Sequence, residues 1–143
     1  MIVLDVNVLV AAFAGGHPHH EPAVAGMARA LTSARLAIVP DVVWLGFARV
    51  TTTPGVLDPT PAWDAVAAFI EAVRSHPGCA RSVRGLDADL SDYLDLCRRA
   101  DARRNLLTDA YVAAVALANA CPVMTFDRDF ARFPGVQTVV PGT

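Results

Sequence analysis

The sequence predicts an α/β domain, a mostly parallel sheet of about five strands with helices on both faces. Three observations carry this expectation. Short apolar runs alternate with stretches of helical spacing along the chain, as strands and helices do around a parallel sheet. One helical stretch, Leu106 to Ala120, is apolar nearly all round, which suits a helix buried against the sheet. Aspartates stand at the ends of the apolar runs, on the edge where such sheets bind ligands.

The elements follow in order. Met1 to Asp5 is a short apolar strand, and Asn7 to Ala14 is a short helix closed by Gly15-Gly16. "HPHHEP" is a polar turn; His17, His19 and His20 lie together in it and could approach a metal, but they read as surface residues. Pro22 to Ser33 has helical spacing, with Val24, Met27, Ala28 and Leu31 on one face. Leu36 to Val39 is a second strand. Asp41 then caps a helix carrying Trp44, Leu45 and Phe47. "TTTPGVLDPTP" is a loop, and Pro61 introduces a helix over Ala62 to Arg74 with Val66, Phe69, Ile70 and Val73 facing inward. Cys79 to Val83 reads as a third strand. Leu90 to Ala100 is a helix striped by Leu90, Tyr93, Leu94 and Cys97. After the buried helix come a strand over Pro122 to Thr125, a helical turn in "DRDFARF" and a last strand over Val136 to Val140. No internal repeat or linker divides the chain, so residues 1–143 are read as a single domain.

Composition narrows the function. Hydrophobic residues make up 54% of the 143 and charged residues 18%, which is too apolar for a disordered chain. The longest apolar run, Ala110 to Ala118, is far too short to span a bilayer. No basic stretch precedes an apolar one at the start, and Cys79, Cys97 and Cys121 form no CxxC pair; the expectation is a cytoplasmic protein with reduced thiols and no membrane contact. The net charge of −2 singles out no partner. Every basic residue is arginine, so chemistry that requires a lysine is excluded.

The acids are the informative feature. Asp5 sits at the end of the first strand among Ile, Val and Leu, where a carboxylate costs several kcal/mol unless its charge is compensated. Asp41 follows the second strand, Asp127 and Asp129 follow the strand in "VMTFDRDF", and Asp109 lies in the first turn of the buried helix. In a parallel α/β fold, strand C-termini and helix N-termini share one edge, so these carboxylates can converge. Converging carboxylates raise one another's pKa, and a divalent cation relieves the repulsion. Oxygen ligands without His or Cys suit Mg²⁺, with Mn²⁺ able to substitute, and such ions commonly act on phosphates. Each acid also has a purely structural reading: Asp41 as an N-cap, Asp109 as a first-turn acid, Asp127 or Asp129 as the cap of the short helix. Asp5 has the weakest one, because four apolar residues precede it. Asn7 reads equally as a helix cap or as a hydrogen-bonding site residue. Thr125 completes the set of candidate accessory residues with Asn7 and Asp41.

"MIVLDVNVLV", "LLTDAYVAAVAL" and "PVMTFDRDFARFPGV" together resemble the signature segments of PIN-domain ribonucleases, and most closely the VapC-type toxins of bacterial toxin–antitoxin pairs. The resemblance runs over nearly the whole chain. It implies a PIN-like three-layer sandwich and a metal-dependent endoribonuclease that cleaves cellular RNA, often tRNA or rRNA. It also implies a homodimer and a cognate VapB-type antitoxin whose C-terminal segment lies in the active-site groove. Carried over by position, Asp5, Asp109 and Asp127 are the catalytic, metal-holding acids, and Asp129 is an accessory one. The chain departs from the family at one point. Many members carry a Glu in the helix after the second strand, where this chain has Gly46 in "WLGFARV". Asp41, five residues earlier and roughly 140° round the helix, could reach the site only from another direction. A Glu at position 46 is expected to support metal-dependent cleavage, unless Gly46 is there to pack against a neighbouring helix.

Other families with an aspartate after the first strand fit less well. Haloacid-dehalogenase phosphatases and response-regulator receivers need a lysine, and P-loop hydrolases need GxxxxGK[ST]; none is present. The alternative that survives is a catalytically weak PIN domain that binds RNA or antitoxin. For RNA contact, Arg98, Arg99, Arg103 and Arg104 precede the Asp109 segment, and Arg128 and Arg132 flank the Asp127 turn. Trp44, Phe47 and Trp63, with the "TTTPGVLDPTP" loop beside them, supply an apolar surface for dimer or antitoxin.

Overall fold

The computed structural model describes residues 1–80 and 87–143. Four short parallel strands, β1 (Ile2–Leu4), β2 (Ala37–Ile38), β3 (Val123–Met124) and β4 (Thr138–Val139), form one sheet in the order β2-β1-β3-β4. Six α-helices flank it: α1 (Val6–Phe13), α2 (His20–Thr32), α3 (Asp41–Thr52), α4 (Trp63–Ser75), α5 (Leu90–Ala100) and α6 (Leu106–Ala118). A 3₁₀ turn, Arg128–Arg132, joins β3 to β4. The expected strand at 79–83 reduces to a single parallel bridge. Cys79 pairs with Ala37, with Ala37 N–H donating to Gly78 O and Ala80 N–H to Ala37 O. Residues 81–83 of that expectation lie outside the described residues; among the described residues the sheet has four strands, close to the about five expected.

β1 is central and apolar on both faces: Val3 and Leu4 are fully buried. That is the pattern of a strand covered by helices on both sides. α6 packs on β1 and β3, and its Leu106, Ala110 and Val112 to Ala116 are buried, as its apolar composition requires. α1 packs against α2 and α3. Phe13, Phe47 and Phe69 form an aromatic triangle with centroids 5.1–5.5 Å apart, tying α1, α3 and α4 together.

Three helical faces differ from the expected ones. α2 starts at His20, with Pro22 in its first turn, where a proline is tolerated. It buries Ala23, Gly26, Met27 and Ala30, leaving Val24 exposed. Small residues face inward because the chain's C-terminal segment runs close: a Cβ on Gly26 would stand 2.9 Å from Pro141 Cβ. α5 buries Leu96 and Ala100 with Tyr93 and Cys97 beside them, and leaves Leu90 and Leu94 exposed. In α3, Trp44 and Phe47 belong to the core, whereas Leu45 and, on α4, Trp63 are 73% and 61% exposed. The apolar surface therefore consists of other residues than Trp44 and Phe47. Among the described residues no helix is long and apolar enough to cross a membrane, and the three cysteines are free.

Candidate active site

The parallel strands bring their C-terminal ends to one edge. Asp5 follows β1, Thr125 and Asp127 follow β3, and Asp109 sits in the first turn of α6, which packs on both strands. Asp5, Asn7, Asp109 and Asp127 line a single open pocket of about 240 Å³, with Val6, Val10, Val50 and His17 as its remaining wall.

Asp5 is 3% exposed, and it is held from three directions. Its Oδ1 accepts the Val6 N–H at 2.7 Å; its Oδ2 accepts from Asn7 Nδ2 at 2.8 Å and from the Thr125 hydroxyl at 2.7 Å. These bonds fix the carboxylate at the N-terminus of α1, which it caps. Burial pushes its pKa up; the bonds from Thr125 and Val6 pull it back, and the charge of Asp127 raises it again. Asn7 is a site residue rather than a cap. It donates to Asp5 and to Thr125 Oγ1, and its Oδ1 accepts the Phe126 N–H at 3.1 Å. Thr125, itself buried, accepts the Asp127 N–H at 2.9 Å and so links the two acidic segments. Asp127 caps the 3₁₀ turn through the Asp129 N–H at 2.8 Å, and Asp129 is exposed in that turn. Asp127 thus caps the turn, as expected of it, and also lines the carboxylate pocket.

Asp109 has its pKa pushed up to about 7, first by burial and then by the charges of Asp5, Asp127 and Asp129. The four carboxylates sense one another, as converging acids must. Among the described residues, no three His, Cys, Asp or Glu side chains stand close enough together to hold a metal ion by themselves. The oxygen donors instead face an open pocket. That matches the demands of Mg²⁺, which keeps several waters and is held by one or two carboxylates.

The remaining candidates separate. Asp41 is the first residue of α3, is exposed, and makes no capping bond; Pro40 occupies the cap position. It lies outside the carboxylate pocket. Gly46 is buried where α3 crosses α1: a Cβ there would meet Val6 Cγ2 at 2.9 Å. Arg99 pairs with Asp95 at 2.7 Å and Arg103 with Asp101 at 2.8 Å, while Arg132 donates to Ala100 O at the end of α5. Arg98, Arg104 and Arg128 are exposed and pair with no acid among the described residues. His17 was read as a surface residue, with approach to a metal as the alternative. It lines the carboxylate pocket, and His19 beside it stacks on Phe126 at 4.6 Å.

Comparison with known proteins agrees with this geometry. The family model described as PIN domain matches residues 2–136. Ribonuclease VapC25 of Mycobacterium tuberculosis is 39% identical over 142 residues, covering 99% of each chain. Ribonuclease VapC31 of the same species is 38% identical over the same length and coverage. Among solved structures, VapBC2 from Rickettsia felis, bound to a DNA fragment from their promoter, superposes with a TM-score of 0.66 at 16% identity, over 97% of this chain and 98% of that one. Mycobacterium tuberculosis VapC20, a sarcin-ricin loop cleaving toxin, gives the same TM-score and identity over 96% and 99%. The likeness to the two solved structures is one of fold.

Proposed function

Because this chain belongs to the PIN-domain family, with VapC ribonucleases as full-length relatives, we propose that it is the ribonuclease toxin of a toxin–antitoxin pair. In this reading it is a Mg²⁺-dependent endoribonuclease that cuts cellular tRNA or rRNA and so arrests translation and growth. The observation that carries it is the convergence of Asp5, Asp109 and Asp127 on one pocket, with Asp109 raised to about 7 by its neighbours.

Asp5, Asp109 and Asp127 are the residues that would hold the cation, with water filling its remaining positions, and Asp129 would be accessory. Mg²⁺ or Mn²⁺ there would supply Lewis-acid polarisation of the phosphodiester and an acidified water. The protein's own contribution is orientation. Asn7 and Thr125 occupy Asp5 Oδ2, and the Val6 N–H holds Oδ1, so the carboxylate cannot rotate away. Arg98, Arg104 and Arg128, exposed and free of acid partners, are the arginines best suited to RNA phosphates. Arg99, Arg103 and Arg132 are already engaged and contribute charge rather than free donors.

The partners are a VapB-type antitoxin and a second copy of the chain. Leu90, Tyr93, Leu107 and Tyr111, with Val42, line an apolar groove between α3, α5 and α6, which suits the homodimer contact. A second reading, RNA or antitoxin binding without efficient cleavage, is favoured by one observation: with Gly46 on its buried face, α3 supplies no acid to the pocket. Induced expression in a bacterial host distinguishes the two. The ribonuclease reading expects growth arrest with new RNA 5′ ends, both lost in Asp5→Asn. Arrest that persists in Asp5→Asn without new ends would establish the binding module instead.

A further inference from the structure

Beside the carboxylate pocket lies a larger one, of about 450 Å³, between the α1–α2 turn and the loop that follows α3. That volume is within the usual range for small-ligand sites. His17 lines both pockets and is their shared wall. The floor is Phe13, fixed by its contacts with Phe47 and Phe69. Leu57 and the rings of Pro18, Pro59 and Pro61 make the sides apolar and rigid, and Asp58 is the only charged side chain in the lining.

This chemistry discriminates among ligands. With one carboxylate and no arginine among its described lining residues, the pocket repels a phosphate. Apolar walls, an aromatic floor and a carboxylate instead suit a flat, uncharged ring that carries N–H donors. We propose that this pocket is a nucleobase subsite that takes the base next to the cleaved phosphodiester, with guanine preferred. The proposal rests on the ribonuclease reading above for the position of the phosphodiester; the pocket's preference for a base follows from its own lining. Guanine is favoured because its N1–H and N2–H stand side by side, matching the two acceptor oxygens of Asp58. Uracil offers one N–H between two carbonyl oxygens, which the carboxylate repels. His17 adds a directional donor at the junction. Its Nδ1 accepts the His19 N–H at 3.0 Å, which leaves Nε2–H to donate. Burial and the neighbouring His19 and His20 lower its pKa.

The open glycines make a clean test. A Cβ added at Gly15 or Gly16 meets nothing within 4 Å, so the backbone there accepts a side chain, and Gly16→Trp puts a bulky ring in the pocket's lining. Two arms are needed. In the first, guanosine and uridine 5′-monophosphates are titrated into the protein and amide and His ring signals are followed by NMR. Guanosine monophosphate is expected to move Gly16 and His17, and to bind about fivefold or more tightly than uridine monophosphate, the scale of one matched carboxylate–base contact. Gly16→Trp should abolish these shifts, and Asp58→Asn should remove the preference. In the second arm, wild type and Asp58→Asn cut a pool of randomised short RNAs, and the ends are sequenced. Wild type should enrich guanine at one position flanking the cut, and Asp58→Asn should flatten that enrichment. Equal binding of both nucleotides, or an end profile unchanged by Asp58→Asn, overturns the subsite while leaving the ribonuclease intact. No cleavage by wild type, with guanine-selective shifts still present, overturns the ribonuclease reading and leaves the base pocket standing.

Discussion

At the scale of single residues, the two buried acids differ in how they are held. Asp5 receives three hydrogen bonds, whereas Asp109 has its pKa raised to about 7 by burial and by its acidic neighbours. Raising a carboxyl's folded pKa above its unfolded value of about 3.8 means the folded state binds more protons between those two values. Stability from this group is therefore present at acidic pH and is lost as pH rises through about 7. Metal-free Asp109→Asn should melt higher than wild type at pH 8, and the gap should close toward pH 4. Adding Mn²⁺ should raise the Tm of wild type and not of the variant. A variant that melts lower at pH 8 without metal would show that Asp109 makes a stabilising contact instead. Thr125→Val tests orientation. It removes the donor to Asp5 and the acceptor for the Asp127 N–H, and losing such a supporting bond typically costs about 10–100-fold in metal affinity or activity. Unchanged cleavage would mean that Asp5 needs no support from β3.

At the scale of elements, the crossing of α1 and α3 decides what Gly46 is for. A Cβ at 2.9 Å from Val6 Cγ2 is too close to be accommodated without a shift, so the glycine allows the two helices to touch. Gly46→Glu should melt lower than wild type, since overpacking costs typically about 1–3 kcal/mol and the added charge starts from a buried position. Trimming the neighbour with Val6→Ala should recover part of that loss. Val6 also lines the carboxylate pocket, so the double variant is the one in which a Glu could serve as a further oxygen ligand. If Gly46→Glu alone melts no lower, Gly46 is not a packing residue. The elements themselves were largely legible in sequence. Strand ends were marked by aspartates after apolar runs, and α6 by its nearly continuous apolar surface. Helix faces were less legible. In α2 the inward stripe is Ala23, Gly26 and Ala30, because close approach of the C-terminal segment selects small residues over large apolar ones. In α5 two stripes of the same period compete, and packing chooses the one through Leu96 and Ala100. His17 was only half legible: its turn could be weighed as near a metal, but a turn's place over a pocket is set by how α1 and α2 pack, not by local pattern. The convergence of Asp5, Asp109 and Asp127 was foreseen, because parallel α/β topology alone puts their segments on one edge.

At the scale of the whole molecule, the apolar residues left exposed ask for a partner. Leu90 is 67% exposed and Leu107 42%, and both line the groove with Val42, Tyr93 and Tyr111. A double substitution, Leu90→Asp with Leu107→Asp, should convert a dimer to a monomer by light scattering at micromolar concentration and leave the fold intact. A wild-type protein already monomeric under those conditions would remove the basis for that interface. The central proposal is that the carboxylates gathered on one edge of the parallel sheet would hold a cation against RNA. The most direct test is single-turnover cleavage of a structured RNA by chelator-stripped protein as Mg²⁺ is added back, for wild type and Asp5→Asn side by side. Wild type should be inactive without metal and gain activity to a plateau as Mg²⁺ rises, while Asp5→Asn stays at the baseline throughout. Cleavage by stripped wild type, or a wild-type titration curve from Asp5→Asn, would contradict it.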